Sequence, residues 1–423
     1  MIKPNTRFWY ALGIFLFALT TRSIYNDEIF QRITFLVGLM VVCSFILALF
    51  STLGVEVERS AKISRQKVGE YFEEHFNIIN KLSIWHFNLH VKDYSTLEGQ
   101  LNSRVISYLG SKQIRTYNTF TLLKERGATL LGPTVIESCD PLNMFIATKE
   151  NKNNCSLLIY PYTVDLTRFP EPPGLLTGGK SLKKPTVETT PHAAGIREYS
   201  AGDPLQRIHW PSTLRKNRFM VKEFDQDPQS SIWVFLDSYK QNHDKQEMTS
   251  SDRKNSLEWA NKKKNIYQLP RDTYEYAISI AASIANYYIK QGRSTGFSSA
   301  GKIITHLSAE KGHRQLAKIL ETLAFLKSDG DLPLLGLIQA EAKNLSRGTT
   351  IILITTTVEN KVELCAESIR QRGLTPILII IESNSFTENE KYQLNKEKLM
   401  NIKSPYVKIK YGDNLKDIME SIN

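Results

Sequence analysis

The segment ITFLVGLMVVCSFILALFSTLGV, from Ile33 to Val55, contains no charged side chain. About 20 apolar residues in a helix are enough to cross the hydrocarbon core of a bilayer. A core helix of a soluble protein at this length normally has a polar face, which this segment lacks. The sequence therefore predicts a transmembrane helix here.

A second apolar segment, Phe8 to Thr21, precedes this helix and begins with aromatic residues. Taken alone, with Lys3 and Arg7 ahead of it, the segment also fits a signal peptide. No small-x-small cleavage site follows it closely, and another apolar segment comes next. We therefore expect residues 1–55 to form a hairpin of two transmembrane helices.

The charges beside the two apolar segments predict the orientation of the hairpin. Lys3 and Arg7 precede the first segment, and further basic residues follow the second, namely Arg59, Lys62, Arg65 and Lys67. By the positive-inside rule both tails face the cytoplasm. The four cysteines lie far apart, which is typical of a reducing compartment. We expect a plasma (inner) membrane protein whose N-terminus and C-terminal body are cytoplasmic.

The composition excludes several function classes. Hydrophobic residues make up 41% and charged residues 23% of the chain, as in folded proteins, and the formal charge is +11. A basic excess is common where a cytoplasmic surface lies near anionic lipid. The sequence shows no basic stripe with interleaved aromatics, so we do not expect nucleic acid as a partner. It also lacks a P-loop, a nucleophile elbow and a zinc-protease motif.

Residues 56–168 consist of short alternating segments separated by Gly, Pro and Asn, which predicts a β-sandwich. The stretch YFEEHFNIIN, Tyr71 to Asn80, fits a strand and a helix equally well. Further along the chain, His86 and His90 are expected to fall on one face, whether their segment is a strand or a helix. Two histidines without a third ligand are more often ordinary residues than a metal site.

The remaining chain changes character twice. Residues 169–194 are rich in Pro, Gly, Thr and Lys and predict a linker, and residues 195–230 form a compact segment of mixed charges and aromatics. In residues 231–423, apolar strands alternate with amphipathic helices, which predicts an α/β domain with a parallel sheet. A polar, Lys-rich insertion, 238–272, is too long for an ordinary loop and is predicted to be disordered or functional.

Ligands of such sheets bind at the carboxyl ends of the strands. In this chain that edge is predicted to hold Asp237 and the run Thr355, Thr356 and Thr357.

The segment GIREYSAGDPLQRIHWPSTLR resembles the signature of the DUF58 family of bacterial membrane proteins. The matching residues are Gly195, Arg197, Glu198, Tyr199, Gly202, Asp203, Pro204, Arg207, Ile208, His209, Trp210 and Arg215. The chain departs from the family at Thr213 and Leu214, where Ser-Ala is usual, and at Pro211, which is often Lys. The upstream stretch KERGATLLGPTVIESCDPLNMF is also similar to the family, so the resemblance extends over nearly the whole chain.

The resemblance implies a fold and a type of partner, but no particular activity. It implies a membrane hairpin, a β-sandwich and a von Willebrand factor A-like (Rossmann-like) α/β domain. Members of the family commonly occur beside MoxR-type AAA+ ATPases, which are thought to act with them in assembling or activating other complexes.

An A domain that binds Mg²⁺ uses an Asp-x-Ser-x-Ser turn after its first strand, together with oxygen ligands from later loops. In this chain the turn is Asp237-Ser238-Tyr239-Lys240-Gln241. Only the aspartate remains, and Lys240 adds a competing positive charge. We expect a degenerate site at Asp237, with no metal and no cofactor.

The signature admits three roles. In a structural role, Arg197, Arg207 and Arg215 pair with Glu198 and Asp203, while His209 and Trp210 pack between the sandwich and the sheet. In a binding role, the segment is a partner surface whose candidates are Arg197, Glu198, Tyr199, Gly202, Asp203, Arg207, His209, Trp210 and Arg215. In a catalytic role, Asp203 and His209 act as acid and base, although no nucleophile accompanies them at a recognisable spacing.

The function predicted from the sequence is a non-enzymatic, plasma-membrane-anchored interaction or scaffold protein. Its expected contacts are the lipid bilayer and a protein partner, in particular a MoxR-type AAA+ ATPase. The alternative is a cell-envelope hydrolase that uses Asp203 and His209.

The orientation can be tested with reporters fused after Asn423. Because basic residues flank both apolar segments on the same side, a reporter that is active only in the cytoplasm should be active in this fusion. A periplasm-specific reporter that became active at the same position would contradict the predicted orientation.

Overall fold

The computed structural model describes residues 1–25, 28–61, 64–97, 103–151, 155–170, 193–200, 208–224, 231–243, 267–356, 360–386 and 404–422. These residues form two compact units. The first consists mainly of residues 1–162, and the second begins at residue 163.

The first unit begins with a short strand, β1 (Ile2–Pro4), followed by two helices, α1 (Thr6–Tyr25) and α2 (Glu28–Ser51). Within the described residues, α2 is long and apolar enough to cross a membrane. Most of its large apolar side chains are exposed, as expected for a helix that faces lipid rather than a protein core. The predicted apolar helix is therefore confirmed for α2. α1 is a helix as expected, but a second membrane span stays a prediction.

Ten further strands build three sheets in this unit. They are β2 (Val55–Ala61), β3 (Arg65–Lys67), β4 (Tyr71–Asn80), β5 (His86–Asp93), β6 (Arg104–Leu109), β7 (Ile114–Leu122), β8 (Gly127–Leu131), β9 (Thr134–Cys139), β10 (Phe145–Asn151) and β11 (Cys155–Tyr160). The strand orders are β1-β10-β9-β5-β6, β2-β4-β7 and β3-β11-β8.

The first two of these sheets share one apolar core, which supports the predicted β-sandwich. Val57 and Phe76 from β2 and β4 belong to the same buried cluster as Leu89 and Ile136 from β5 and β9. The residues alternate between buried and partly exposed along β4. The strand alternative for Tyr71–Asn80 is therefore correct, because alternation at a period of two matches a strand with one buried face.

His86 and His90 do not lie on one face of β5. His86 is buried and His90 is exposed. Between them Asn88 adopts a left-handed backbone conformation, with a φ of 53°. This residue interrupts the regular alternation of the strand, so residues four apart point to different sides.

A buried ion cluster joins strands of both sandwich sheets. Arg59 Nε donates to Glu74 Oε1 at 2.7 Å, and its two terminal nitrogens donate to the Asp93 carboxylate at 3.2 and 3.1 Å. All three side chains are buried. The guanidinium also lies over the Phe76 ring, 5.2 Å from its centroid. Arg59 thus provides the positive charge that compensates two carboxylates buried away from water.

The second unit contains a two-stranded sheet, a six-stranded sheet and six helices within the described residues. The strands are β12 (Ala193–Glu198), β13 (Met220–Phe224), β14 (Ile232–Leu236), β15 (Thr295–Ala300), β16 (Ile304–Glu310), β17 (Thr350–Thr355), β18 (Thr375–Ile381) and β19 (Tyr406–Ile409). The helices are α3 (Trp210–Lys216), α4 (Thr273–Lys290), α5 (His313–Phe325), α6 (Leu334–Glu341), α7 (Asn360–Gln371) and α8 (Leu415–Glu420).

The six-stranded sheet has the order β16-β15-β14-β17-β18-β19. Its strands pair in parallel except for the edge strand β16. The central strands β14 and β17 are buried at every residue, because helices cover both faces of a parallel sheet. The predicted α/β organisation with buried parallel strands is confirmed. The short helix α6 was not predicted, because its apolar stretch lacks a polar face.

The predicted linker, 169–194, is only partly described. Phe169 is buried against the rings of Tyr287 and Tyr288 in α4, and its backbone N–H donates to the Tyr287 hydroxyl at 3.1 Å. Earlier in the chain, the N–H of Val164 donates to Ser283 Oγ at 2.9 Å. Residues 163–169 therefore pack on the α/β domain. Most of the predicted linker and residues 244–266 of the predicted insertion lie outside the described residues.

Replacing Arg59 with alanine should lower the free energy of unfolding of the first unit by about 3–5 kcal/mol, since it leaves buried carboxylates without their cation. Denaturant unfolding of the purified full-length protein in detergent measures this change.

The matched control is Lys81→Ala, because Lys81 forms an exposed ion pair with Glu56. This change should leave the unfolding midpoint nearly unaltered, since water replaces an exposed partner. Equal effects of the two substitutions would contradict the structural role of the Arg59 cluster.

Candidate functional site

The order of the six-stranded sheet marks one place for a ligand. If the six strands are numbered by their order in the chain, their order across the sheet is 3-2-1-4-5-6. The direction of winding therefore reverses between β14 and β17. Open α/β sheets bind ligands at the carboxyl ends of the strands, in the crevice at this reversal. Asp237 follows β14 and Thr355 ends β17, so both predicted residues lie at this crevice.

The Asp237 carboxylate is buried and is already hydrogen-bonded by the protein. Its Oδ2 accepts from Thr355 Oγ1 at 2.8 Å and from Asn242 Nδ2 at 2.9 Å. Its Oδ1 accepts from the N–H of Tyr239 at 3.1 Å. The backbone carbonyl of Asp237 accepts from the His243 ring at 2.8 Å. A hydroxyl, an amide and a backbone N–H therefore surround the carboxylate.

The neighbouring Ser238 is equally engaged. Its hydroxyl lies 2.8 Å from the Tyr274 hydroxyl and 2.6 Å from Ser299 Oγ, and all of these groups are buried. Thr356 donates to the carbonyl of Asn242, while Thr357 lies outside the described residues. Ser238 thus faces α4 and β15, on the side away from the carboxylate.

A loop closes over this edge at Gly330. Its N–H donates to the Ser238 carbonyl at 3.0 Å, and its carbonyl accepts from the Lys240 N–H at 3.0 Å. A Cβ at Gly330 would lie 2.0 Å from the carbonyl oxygen of Ala300. Only glycine fits at this position, because the backbone approaches too closely for any side chain.

These contacts bear directly on metal binding. A cation at Asp237 would have to displace the donors Asn242 and Thr355, and the ammonium-bearing Lys240 follows in the same turn. Among the described residues, no cluster of three or more His, Cys, Asp or Glu side chains is placed to hold a metal ion. The crevice is organised as a network of internal hydrogen bonds.

The same carboxylate affects Cys365 on α7. Burial raises the pKa of the Cys365 thiol to about 12, and the negative charge of Asp237 adds to this effect. A thiol with so high a pKa is protonated at neutral pH and is a poor nucleophile. Cys365 therefore acts as a core residue behind the crevice.

The structure describes part of the signature. Glu198 lies at the end of β12, Tyr199 follows it, and His209, Trp210 and Arg215 lie at or in α3. The side chain of Arg197 and residues Gly202, Asp203, Pro204 and Arg207 lie outside the described residues. β12 and β13 form an antiparallel pair, which we call the signature hairpin. α3 lies between these two strands in the sequence.

The pairing predicted for the structural role of the signature stays a prediction, because the side chain of Arg197 and residues Asp203 and Arg207 lie outside the described residues. Glu198 Oε1 accepts from Arg218 Nη1 at 2.9 Å, and Arg215 is exposed. Trp210 is 59% exposed. The register of the hairpin places Glu198 opposite Met220, close to Arg218. No pattern within the signature itself points to this distant arginine.

His209 has a local structural role. It precedes α3, and its Nδ1 accepts from the N–H of Ser212 at 3.3 Å and lies 2.8 Å from Ser212 Oγ. Thr213 Oγ1 donates to the His209 carbonyl at 3.1 Å. The His209 side chain thereby caps the N-terminus of α3.

The signature hairpin exposes a group of large apolar side chains. We call this group the signature surface, and its members are Ile196, Tyr199, Trp210, Leu214 and Phe219. Leu214 is 81% exposed, and the rings of Tyr199 and Phe219 lie 6.2 Å apart. Sequence reasoning did not single out Leu214 or Phe219. The signal was available, since both are apolar residues with basic neighbours in a short polar helix and turn.

Comparison with known proteins supports part of the resemblance. Residues 195–375 match the family described as "Protein of unknown function DUF58". The match includes the signature and the sheet through the start of β18. The upstream sandwich stretch that also resembles the family lies outside the matched residues.

A curated relative and two solved structures add little beyond this match. The uncharacterized protein YeaD of Bacillus subtilis is 22% identical over 142 residues, which are 34% of this chain and 28% of YeaD. A CARDB domain from Pyrococcus furiosus is 17% identical, with a TM-score of 0.20, and covers 25% of this chain and 91% of that domain. Proximal thread matrix protein 1 from the mussel byssus is 14% identical, with a TM-score of 0.23, over 36% of this chain and 38% of that protein.

Replacing Thr355 with valine should destabilise the second unit by about 2 kcal/mol, because the buried Asp237 carboxylate loses a donor. Thr355→Ser keeps the hydroxyl and should restore most of the loss. Urea unfolding of both variants measures the difference. If valine and serine have the same effect, the hydrogen bond to Asp237 does not stabilise the crevice.

Proposed function

We propose that this chain is a non-enzymatic, plasma-membrane-anchored interaction protein that binds a protein partner through the signature surface. The preferred partner is a MoxR-type AAA+ ATPase, and the binding serves the assembly or activation of other complexes. The observation that carries the proposal is the exposure of Trp210 and Leu214 within the segment that matches the family.

The composition of the signature surface favours a protein partner. Trp and Tyr side chains, together with Arg, are the residues that most often dominate the binding energy of protein interfaces. Keeping these apolar side chains in contact with water costs free energy, and the short helix α3 does not bury them. Arg215, Lys216 and Arg218 lie beside them and are exposed. An apolar patch bordered by positive charge fits an acidic protein surface.

The proposed anchor is the helical pair α1 and α2, with both ends of the pair on the cytoplasmic side. α1 contacts α2, and a Cβ at Gly38 would lie 3.2 Å from the Phe15 ring, so small residues allow the helices to approach closely. β1 pairs with β10 in the sandwich, with Ile2 opposite Ala147. Since the residues before α1 belong to a folded sheet, they favour a retained anchor over a signal peptide that is removed.

The six-stranded sheet supports the proposed A-like domain. Its doubly wound order and antiparallel edge strand agree with the von Willebrand factor A-like fold that the resemblance implies. Its closed crevice supports binding that does not use a metal at Asp237. The hydrolase alternative has no specific support among the described residues, because Nδ1 of His209 serves as a helix cap.

The test measures binding of the full-length protein in detergent to a purified MoxR-type ATPase from the same organism. The double variant Trp210→Ala, Leu214→Ala should weaken binding at least tenfold, because it removes the apolar centre of the signature surface. Ile303→Ala is the matched control, since Ile303 is an equally exposed apolar residue of the same unit. The control should bind as the wild type does.

Two solution conditions distinguish the proposal from metal-dependent binding. Binding should survive EDTA and should weaken as ionic strength rises, because the border of the surface is basic. Binding that is lost in EDTA, restored by Mg²⁺ and unaffected by the double variant would overturn the proposal.

A further inference from the structure

The turn between β9 and β10, taken with the first residue of β10, comprises residues 140–145. It packs against the sides of α1 and α2. Met144 and Phe145 share a buried cluster with Ala11 of α1 and Ala48 of α2. The Phe145 ring lies 5.1 Å from Phe8 and 5.4 Å from Phe45. Ser44 of α2 donates a hydrogen bond to the Asp140 carboxylate. The sandwich therefore contacts α2 well inside its apolar stretch.

The length of α2 determines how deep this contact lies. Arg32 is the last charged residue before the apolar stretch, and from Ile33 to Ser44 a helix rises only about 17 Å. The hydrocarbon core of a bilayer is about 30 Å thick. The part of α2 that follows Ser44 is needed to complete the span. The turn contacts this part of the helix, at Phe45 and Ala48. If α2 crosses the bilayer, the turn must lie within one leaflet.

The polar groups of the turn are satisfied in the way that a site in lipid requires. The Asp140 carboxylate is buried and also accepts from the N–H groups of Leu142 at 3.0 Å and Phe145 at 2.6 Å. Asn5, which lies just before α1, donates its side-chain amide to the carbonyl of Asn143 at 3.1 Å, and its N–H donates to the carbonyl of Met144 at 2.8 Å. Groups without water must find partners within the protein, and these have done so.

The neighbouring loops of the same sandwich end expose aromatic side chains. His86, at the start of β5, contacts the Ser51 carbonyl at the end of α2, with Nδ1 3.0 Å from the oxygen. Trp85 immediately precedes it and is 63% exposed. Phe87 and Tyr108 are exposed on adjacent strands, with ring centroids 5.4 Å apart. Trp and Tyr are enriched where a membrane meets water.

We propose that this end of the sandwich is itself embedded in the bilayer, and this inference rests on the proposed anchoring by α2. The turn 140–145 lies among the acyl chains beside α2. Trp85, Phe87 and Tyr108 lie at the headgroup level, beside the end of α2. The occupant of the exposed apolar surface is lipid, because the surface continues directly from the lipid-facing helices.

The test places a fluorescent label on single cysteines in the full-length protein, after replacement of Cys43, Cys139, Cys155 and Cys365. The labelled positions are Leu142→Cys and Trp85→Cys, with Phe35→Cys in α2 as the membrane reference. The matched control in water is Tyr71→Cys, because Tyr71 is an exposed aromatic residue at the opposite end of the sandwich from Asn80. The proteins are reconstituted in phosphatidylcholine nanodiscs that contain lipids with a nitroxide near the headgroup end of the acyl chain.

Quenching of the labels at positions 142 and 85, as at 35, with none at 71, is the expected result. Labels at 142 and 85 that behave like the label at 71, while position 35 is quenched, would overturn the embedded turn and leave the anchor intact. An unquenched label at position 35 would show that α2 does not enter the bilayer, and would overturn both.

A second measurement avoids the cysteine substitutions. In brominated phosphatidylcholine, part of the tryptophan fluorescence of the otherwise wild-type protein should be quenched, and Trp85→Phe should reduce the quenched fraction. A quenched fraction that is the same with and without Trp85 would place this residue in water and contradict the proposal.

Discussion

A carboxylate that leaves water must be met by donors from the protein, and this constraint organises both units of the chain. In the sandwich, Arg59 is shared between Glu74 and Asp93 and thereby connects two sheets. At the turn between β9 and β10, Asp140 accepts from the turn itself and from Ser44 of α2. In each case at least one donor comes from another element, so the carboxylate links two elements through a polar contact.

The same constraint explains why the crevice of the α/β sheet is closed. At the place where related architectures bind ligands, Asp237 is surrounded by Thr355, Asn242 and a backbone N–H. A carboxylate with these donors is stable without a cation. The exposed apolar side chains of the hairpin, Trp210 and Leu214 among them, lie on other elements of this unit.

Local patterns predicted the elements well and the pairings poorly. Continuous apolar runs identified β14 and β17, because strands buried on both faces need no polar residues. The prediction for His86 and His90 failed, since one left-handed residue, Asn88, changes the phase of β5. The ion pair of Glu198 with Arg218 was not predicted. The hairpin register places Arg218 beside it, and register depends on strand pairing across twenty residues.

The sequence by itself determined the apolar character of α2, the alternation of buried strands with helices in the second unit, and the loss of hydroxyl ligands after Asp237. These features depend on composition and periodicity along short stretches, which the chain carries locally. Only the tertiary structure decided that Asn242 fills the crevice, that Trp210 is exposed and that Ser44 meets Asp140. Those outcomes depend on which distant groups become neighbours, and that is determined by the packing of whole elements against one another.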